Sequence, residues 1–153
     1  MTIDALKARV KLDLEAIETV HNHLSRLRAR LAGREPSADE LAAMAAYLHS
    51  LYGGLENVLK LLAEFHGLSP GGPQVWHARL VERFTDGHPE RTGPPLITGE
   101  LKSRLDELRG FRHVFRSHYT FRLEWAKLSP LADAATETLR LFRDSVLSHL
   151  AAL

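Results

Sequence analysis

The sequence has no cysteine. Disulfides, thiolate metal sites and cysteine nucleophiles are thereby excluded, and a reducing cytoplasm is the expected compartment. It has no run of about 18 apolar residues, so no membrane span is expected. The opening stretch, MTIDALKARVKLDLE, spreads charge throughout and carries no apolar core, unlike a secretory signal. An excess of charge of one sign is also missing: 20 Lys and Arg face 19 Asp and Glu, for a net charge of +1. The chain as a whole is no electrostatic magnet for nucleic acid, and any such binding must come from local clustering. No stretch alternates apolar and polar residues at period two, and no internal repeat or low-complexity tract occurs.

What is present is helical pattern. The 153 residues, 44% hydrophobic and 25% charged, suit one soluble domain spanning 1–153 with a core of its own. Ile3, Leu6, Val10, Ile17, Val20, Leu24, Leu27 and Leu31 follow three-four spacing and predict a helix over 2–32, ended near Gly33. Ser37 and Glu40 form a capping box. A second helix then carries Leu41, Ala45, Leu48, Tyr52, Leu55, Leu59 and Leu62 to about His66, with Gly67 as its stop. Gly53 and Gly54 weaken its middle by roughly 1 kcal/mol each relative to alanine, which close packing against a neighbour would explain. A short helix is expected over 73–85, with Trp76, Leu80 and Phe84 on one stripe. The Pro- and Gly-rich stretch DGHPERTGPPLITG then forms a loop. Thr98 is the expected cap of a helix over 99–122. Ser129 and Pro130 predict the start of the last helix, Ser as cap and Pro at the first helical position. The fold class is all-α: a bundle of four main helices plus a short extra one.

Residues 111–119, FRHVFRSHY, concentrate cations, histidines and a tyrosine among aromatic residues. With Leu101 at zero and about 100° per residue, Leu105, Leu108, Phe111 and Phe115 fall within about 80° of it, and Arg112 and Tyr119 fall inside that apolar stripe. Arg109, His113 and Arg116 lie to one side. An arginine set among leucines needs compensation. Either an internal acid pairs with it, for which Glu56, one turn beyond Tyr52, is the candidate, or a wet cleft or a phosphate does. On the second reading Arg109, Arg112 and Arg116 form a ladder suited to phosphate, His118 titrates near neutral pH and Tyr119 offers a hydroxyl. A metal-free ribonuclease needs such parts: a base for the 2′-hydroxyl, an acid for the leaving oxygen and a cation on the phosphate. Arg112 and His118 are about 9 Å apart along a straight helix and about 120° apart in azimuth, so one copy cannot grip one atom with both. A local bulge or a two-fold dimer is required.

The stretch DELRGFRHVFRSHYTFRLEW resembles the signature of HepT-like ribonuclease toxins of the HEPN superfamily: an arginine, a polar residue, a short gap, a histidine, and a tyrosine close behind. AAYLHSLYGGLENVLKLLAEFHG looks like the second-helix block of that family, and QVWHARLVERF and RTGPPLI look like further landmarks in the expected order. The resemblance implies a HEPN-type helical bundle, a homodimer, and a metal-independent endoribonuclease without cofactor whose composite cleft lies at the dimer interface. It assigns Arg112 and His118 to catalysis and His113 to the polar position after the arginine. Tyr119 becomes the residue that a cognate minimal nucleotidyltransferase antitoxin modifies with AMP. RNA is the implied substrate. In the commoner pattern the histidine follows the arginine after four residues. Here Ser117 holds that slot and His118 comes one residue late, while Tyr119 keeps its distance from Arg112.

That shift keeps an alternative of another class in view: a weak or inactive helical module that binds a nucleotidyltransferase or nucleic acid through the same basic ladder. A metal bundle is a third. Glu18 and His21 form one Glu-x-x-His pair, but a di-iron site needs two such pairs and two further glutamates, so no metal site is assigned.

Overall fold

A computed structural model of the chain describes residues 1–68, 79–85, 96–117 and 123–153, with the backbone alone at 116 and 117. Helix α1 runs over Ile3–Leu31. The Thr2 hydroxyl caps it by accepting from the Ala5 N–H at 3.1 Å, and Ala32 ends it in the left-handed region at φ 47°. Its buried face is the expected three-four stripe, from Leu6 to Leu31, with Leu14 taking the place that Asp13 interrupts. Ile3 is exposed.

Helix α2 covers Ala38–Phe65 and opens on the capping box read from sequence. The Glu40 N–H donates to Ser37 Oγ at 3.2 Å, and the Ser37 N–H donates to Glu40 Oε1 at 3.0 Å. Arg34 adds a two-pronged contact to the same carboxylate, 2.8 Å on each side. The Arg34 hydrogen bonds first, and then the Ser37 backbone, hold the Glu40 carboxyl down at about 2. Gly67, at φ 69°, supplies the left-handed turn that stops the helix. The short link between α1 and α2 folds them back on each other, and this is the most extensive helix pair of the described chain.

Gly54 lies in that contact. A Cβ there would stand 2.6 Å from Ile17 Cγ1, so the close-packing explanation holds for Gly54. It fails for Gly53, where a Cβ would meet nothing within 4 Å.

Of the short helix expected over 73–85, residues 79–83 are helical and Leu80, Val81 and Phe84 are buried; Trp76 lies outside the described residues. Thr85 and Ile97 form an isolated parallel bridge, with the Ile97 N–H donating to the Phe84 carbonyl at 2.9 Å. Helix α3 then covers Gly99–Ser117; the remainder of the expected 99–122 span lies outside the described residues.

Helix α4, Trp125–Ala151, corrects the sequence reading. It starts after Glu124 rather than at Ser129, and Pro130 sits inside it. Leu128 is the reason. It extends the stripe Ala132, Ala135, Leu139, Phe142, Val146 by one turn, and it is 2% exposed. Burying a leucine is worth about 1.5–3 kcal/mol, comparable to the roughly 3 kcal/mol that an interior proline costs. Pro130 is exposed. Helix α4 closes the bundle against α1, α2 and α3. The described residues are all-α and pack as a helical bundle. Among the described residues no helix is long and apolar enough to cross a membrane.

Candidate anion site around Arg112

Helix α3 carries the stripe expected of it. Leu101, Leu105, Leu108 and Phe111 are buried, and Phe115 packs against the core at its edge. Facing them, α2 presents His49, Tyr52 and Glu56 at three- and four-residue steps, which puts all three on one side of the helix. The His49 ring lies tilted against Phe115, 37° between planes and 4.8 Å between centroids.

Arg112 is neither solvated nor sealed. Its side chain is 18% exposed, and its closest approach to Glu56 is Nε to Oε1 at 3.6 Å. At that distance the contact is an ion pair, not a hydrogen bond. Glu56 is 2% exposed. The internal acid expected from the sequence is therefore present, and it accounts for a guanidinium inside an apolar stripe. Breaking such a pair from one side strands a buried charge, which typically costs about 3–5 kcal/mol. Because the approach is through Nε, the forked end of Arg112 is not the edge closest to the carboxylate.

Tyr52 completes the cluster, and the sequence reading missed it, taking it for a member of the apolar stripe. It is 1% exposed, and its hydroxyl makes no hydrogen bond of full geometry. Burial first, then the negative charge of Glu56 and a hydrogen-bonding approach to it, push the hydroxyl above its ordinary range; Arg109 and Arg112 pull the other way. The hydroxyl therefore stays protonated, and Glu56 is the acceptor it approaches. The only signal in the sequence was the four-residue step from Tyr52 to Glu56.

Arg109 borders the cluster. Its terminal nitrogen is 3.8 Å from Asp106, while its Nε is buried with no hydrogen-bond partner. His113 is exposed. Arg116 belongs to the last turn of α3, its side chain outside the described residues, and His118 and Tyr119 lie outside them altogether. The structure thus brings together Arg112, Glu56 and Arg109 of the expected residues, adds Tyr52, and leaves His113 on the surface.

Two further histidine sites lie elsewhere. His21, from the Glu-x-x-His pair, has its Nε2 2.9 Å from the Thr136 hydroxyl and 3.4 Å from that of Ser25. His66 and His149 meet Nε2 to Nε2 at 2.9 Å. Among the described residues no group of three or more His, Cys, Asp or Glu side chains is placed to hold a metal ion. A cavity of about 670 Å³ between α3 and α4 is lined by Phe111, Val114, Leu123, Leu128 and Leu131, with Glu107, Glu124 and Lys127 as its charged members, and is not part of the Arg112 cluster.

The family model described as HepT-like protein matches residues 43–153, which takes in most of α2 and all of α3 and α4 and leaves α1 outside. No curated protein and no solved structure matches the chain. The match covers well over half of the sequence and includes both helices that build the Arg112 cluster, and the chain belongs to the HepT-like family of the HEPN superfamily.

Proposed function

We propose that this HepT-like protein is a metal-independent endoribonuclease toxin. It acts as a homodimer of single-domain chains, 1–153, on cellular RNA in the cytoplasm. A minimal nucleotidyltransferase antitoxin silences it by placing AMP on Tyr119. The observation that carries the reading is Arg112, the residue matching the family's arginine: it is held by a buried acid through Nε, yet its side chain keeps 18% of its surface open. A fixed guanidinium that still reaches solvent suits a phosphate, which it binds through parallel N–H donors.

The chemistry is in-line transfer to the neighbouring 2′-oxygen. A base takes the 2′-hydroxyl proton, the oxygen attacks phosphorus, and the 5′-oxygen leaves with a proton from an acid. Arg112 stabilises the charge that builds on the phosphoryl oxygens, with Arg109 and Arg116 beside it, and His118 moves a proton. Their separation along one helix makes a composite cleft from two copies the natural arrangement. AMP on Tyr119 adds a phosphodiester anion beside the arginines and fills the place of the substrate phosphate.

The test is cleavage of total RNA by purified protein in EDTA. Arg112→Ala is expected to lower the rate roughly 100- to 1000-fold, and His118→Ala about 100- to 10,000-fold. The exchange Ser117→His with His118→Ser restores the commoner spacing and is expected to raise the rate. Incubation with the nucleotidyltransferase and ATP-Mg is expected to add one AMP mass to the wild type and none to Tyr119→Phe. A wild type that cleaves no RNA, arrests no cells on expression and gains nothing from the exchange replaces this reading with that of a non-catalytic binding module.

A further inference from the structure

The chain is nearly neutral, but its charge is unevenly placed. Residues 19–34, TVHNHLSRLRARLAGR, hold four arginines, two histidines and no acid. They form the second half of α1 and the turn after it. The fold uses two of the arginines. Arg28 pairs with Asp133 and donates to the Ala132 carbonyl of α4, and Arg34 grips Glu40. Arg26 and Arg30 are exposed and meet no acid among the described residues. They stand on one face of the helix, about 6 Å apart along its axis. Like charges at that spacing weaken a helix rather than support it. The helix dipole favours Arg30, in the last turn, and does not reach back to Arg26.

His23 continues that face toward the start of α1. The residue is exposed, and its ring lies nearly parallel to that of Tyr47 on α2, 15° between planes and 5.8 Å between centroids. Flat rings beside exposed guanidinium groups suit a single nucleic-acid strand, with rings for the bases and cations for the phosphates. An acidic protein surface would engage the cations and leave the rings idle. From the ring pair a groove of about 370 Å³ leads between α1 and α2. It begins at Val20 and Ser50, one turn from His23 and Tyr47, and passes Gly53. A Cβ on Gly53 would meet nothing within 4 Å, so the space above it is open. Asp13, the one acid among the described residues lining the groove, is held by Arg9 at 3.4 Å. His49 also lines it, and the His49 ring rests against Phe115 of α3, one turn from Arg112.

We propose that His23, Tyr47, Arg26 and Arg30 bind single-stranded RNA away from Arg112, and that the groove between α1 and α2 carries the strand from one place to the other. The link to Arg112 rests on the ribonuclease reading above. Tyr47 and Glu56 are about 13 Å apart along α2 and about 180° apart in azimuth. The rings and arginines are thus a second contact for a strand, not an extension of the Arg112 cluster.

The experiment uses the full chain in EDTA and a 2′-O-methylated RNA of twelve nucleotides, single-stranded or as a duplex, which binds and cannot be cleaved. Fluorescence anisotropy over a range of salt, and thermal unfolding, are measured for wild type, Arg26→Gln with Arg30→Gln, His23→Ala and Gly53→Met. The arginine double variant is expected to bind the single strand roughly tenfold more weakly at low salt, with the slope of log K against log salt reduced by about 1.4, the share of two phosphates. It should unfold at the wild-type temperature or higher, since a like-charge pair is removed. His23→Ala is expected to weaken the single strand on the order of tenfold, the worth of one stacked base, and to leave the duplex unchanged. Gly53→Met fills the groove and is expected to weaken the single strand without lowering the unfolding temperature.

Unchanged affinity and slope in the arginine variant overturn the proposal and leave the ribonuclease reading standing. So does a marked fall in its unfolding temperature, which would make the arginines structural. So does a His23→Ala variant that binds the single strand like wild type, or a Gly53→Met variant that does. So does equally tight, arginine-dependent binding of a polyglutamate peptide, which would make the patch a dock for an acidic protein. A wild type that binds the strand through these residues but cleaves no RNA keeps the RNA surface and removes the ribonuclease reading instead.

Discussion

Two adjacent glycines on one helix should respond to the same substitution with opposite signs. Gly53 and Gly54 both lie in the middle of α2, where glycine is about 0.5–1 kcal/mol worse than alanine. A Cβ at Gly53 meets nothing within 4 Å, so Gly53→Ala should stabilise the protein by about that amount. A Cβ at Gly54 falls 2.6 Å from Ile17 Cγ1 and 3.3 Å from Cδ1. Cδ1 can rotate away, but Cγ1 is attached directly to the Ile17 Cβ, and a β-branched side chain in a helix is held near one rotamer. Either Ile17 leaves that rotamer or α1 moves off α2. Overpacking of this kind costs about 1–3 kcal/mol, against a helix gain of at most about 1 kcal/mol. Gly54→Ala should therefore destabilise by about 1 kcal/mol, leaving the two variants about 2 kcal/mol apart. In urea, with a slope of about 2 kcal/mol per molar, their midpoints should differ by roughly 1 M and bracket that of the wild type. Ile17→Ala removes both offending atoms. In that background Gly54→Ala should become stabilising, and the coupling between the two sites should be 1 kcal/mol or more, about what residues in direct contact show. The reasoning is refuted if both glycines respond alike, or if the effect of Gly54→Ala is the same with and without the Ile17 side chain.

Pro130→Ala should stabilise the protein by about 1 kcal/mol or more, because it restores the N–H donor for the Ala126 carbonyl inside α4; a lowered urea midpoint would instead place the helix start at Pro130. Acid should weaken the junction where His66 meets His149. The rings approach nitrogen to nitrogen, 2.9 Å apart and 5.1 Å between centroids, so one proton fits between them and two do not. Burial lowers the proton affinity of His66, so just below the ordinary value of about 6.5 the folded state binds fewer protons than the unfolded chain, and stability falls as pH drops through that window. His66→Gln should show a shallower loss of urea midpoint between pH 7.5 and 5.5 than wild type, and equal slopes would count against the shared proton. Ser37→Ala should cost about 1 kcal/mol by removing half of the capping box, read as a lower unfolding temperature.

Sequence alone determined whatever depends on near neighbours along the chain. The α1 stripe, the capping box at Ser37 and Glu40, and the stop at Gly67 are local, set by spacing within a turn or two and by backbone groups that need a nearby partner. The need of Arg112 for an acid could also be read, because a helix period places it among leucines, and Glu56 was the acid on offer. The HepT-like signature gave the family in the same way, through residues in order. Tertiary structure decided the rest. Whether Pro130 begins a helix or lies within one depended on a groove for Leu128, which the local rule for proline does not contain. Gly53 and Gly54 are identical in sequence terms, and only Ile17, 37 positions before Gly54, separates them. The meeting of His66 with His149, 83 residues apart, and the bridge of Thr85 to Ile97 have no local precursor. Tyr52 shows the difference most sharply. Its ring belongs to an apolar stripe that any periodicity finds, but that its hydroxyl is sealed from solvent beside Glu56 and two arginines is a property of the space between two helices, fixed only when α2 and α3 pack.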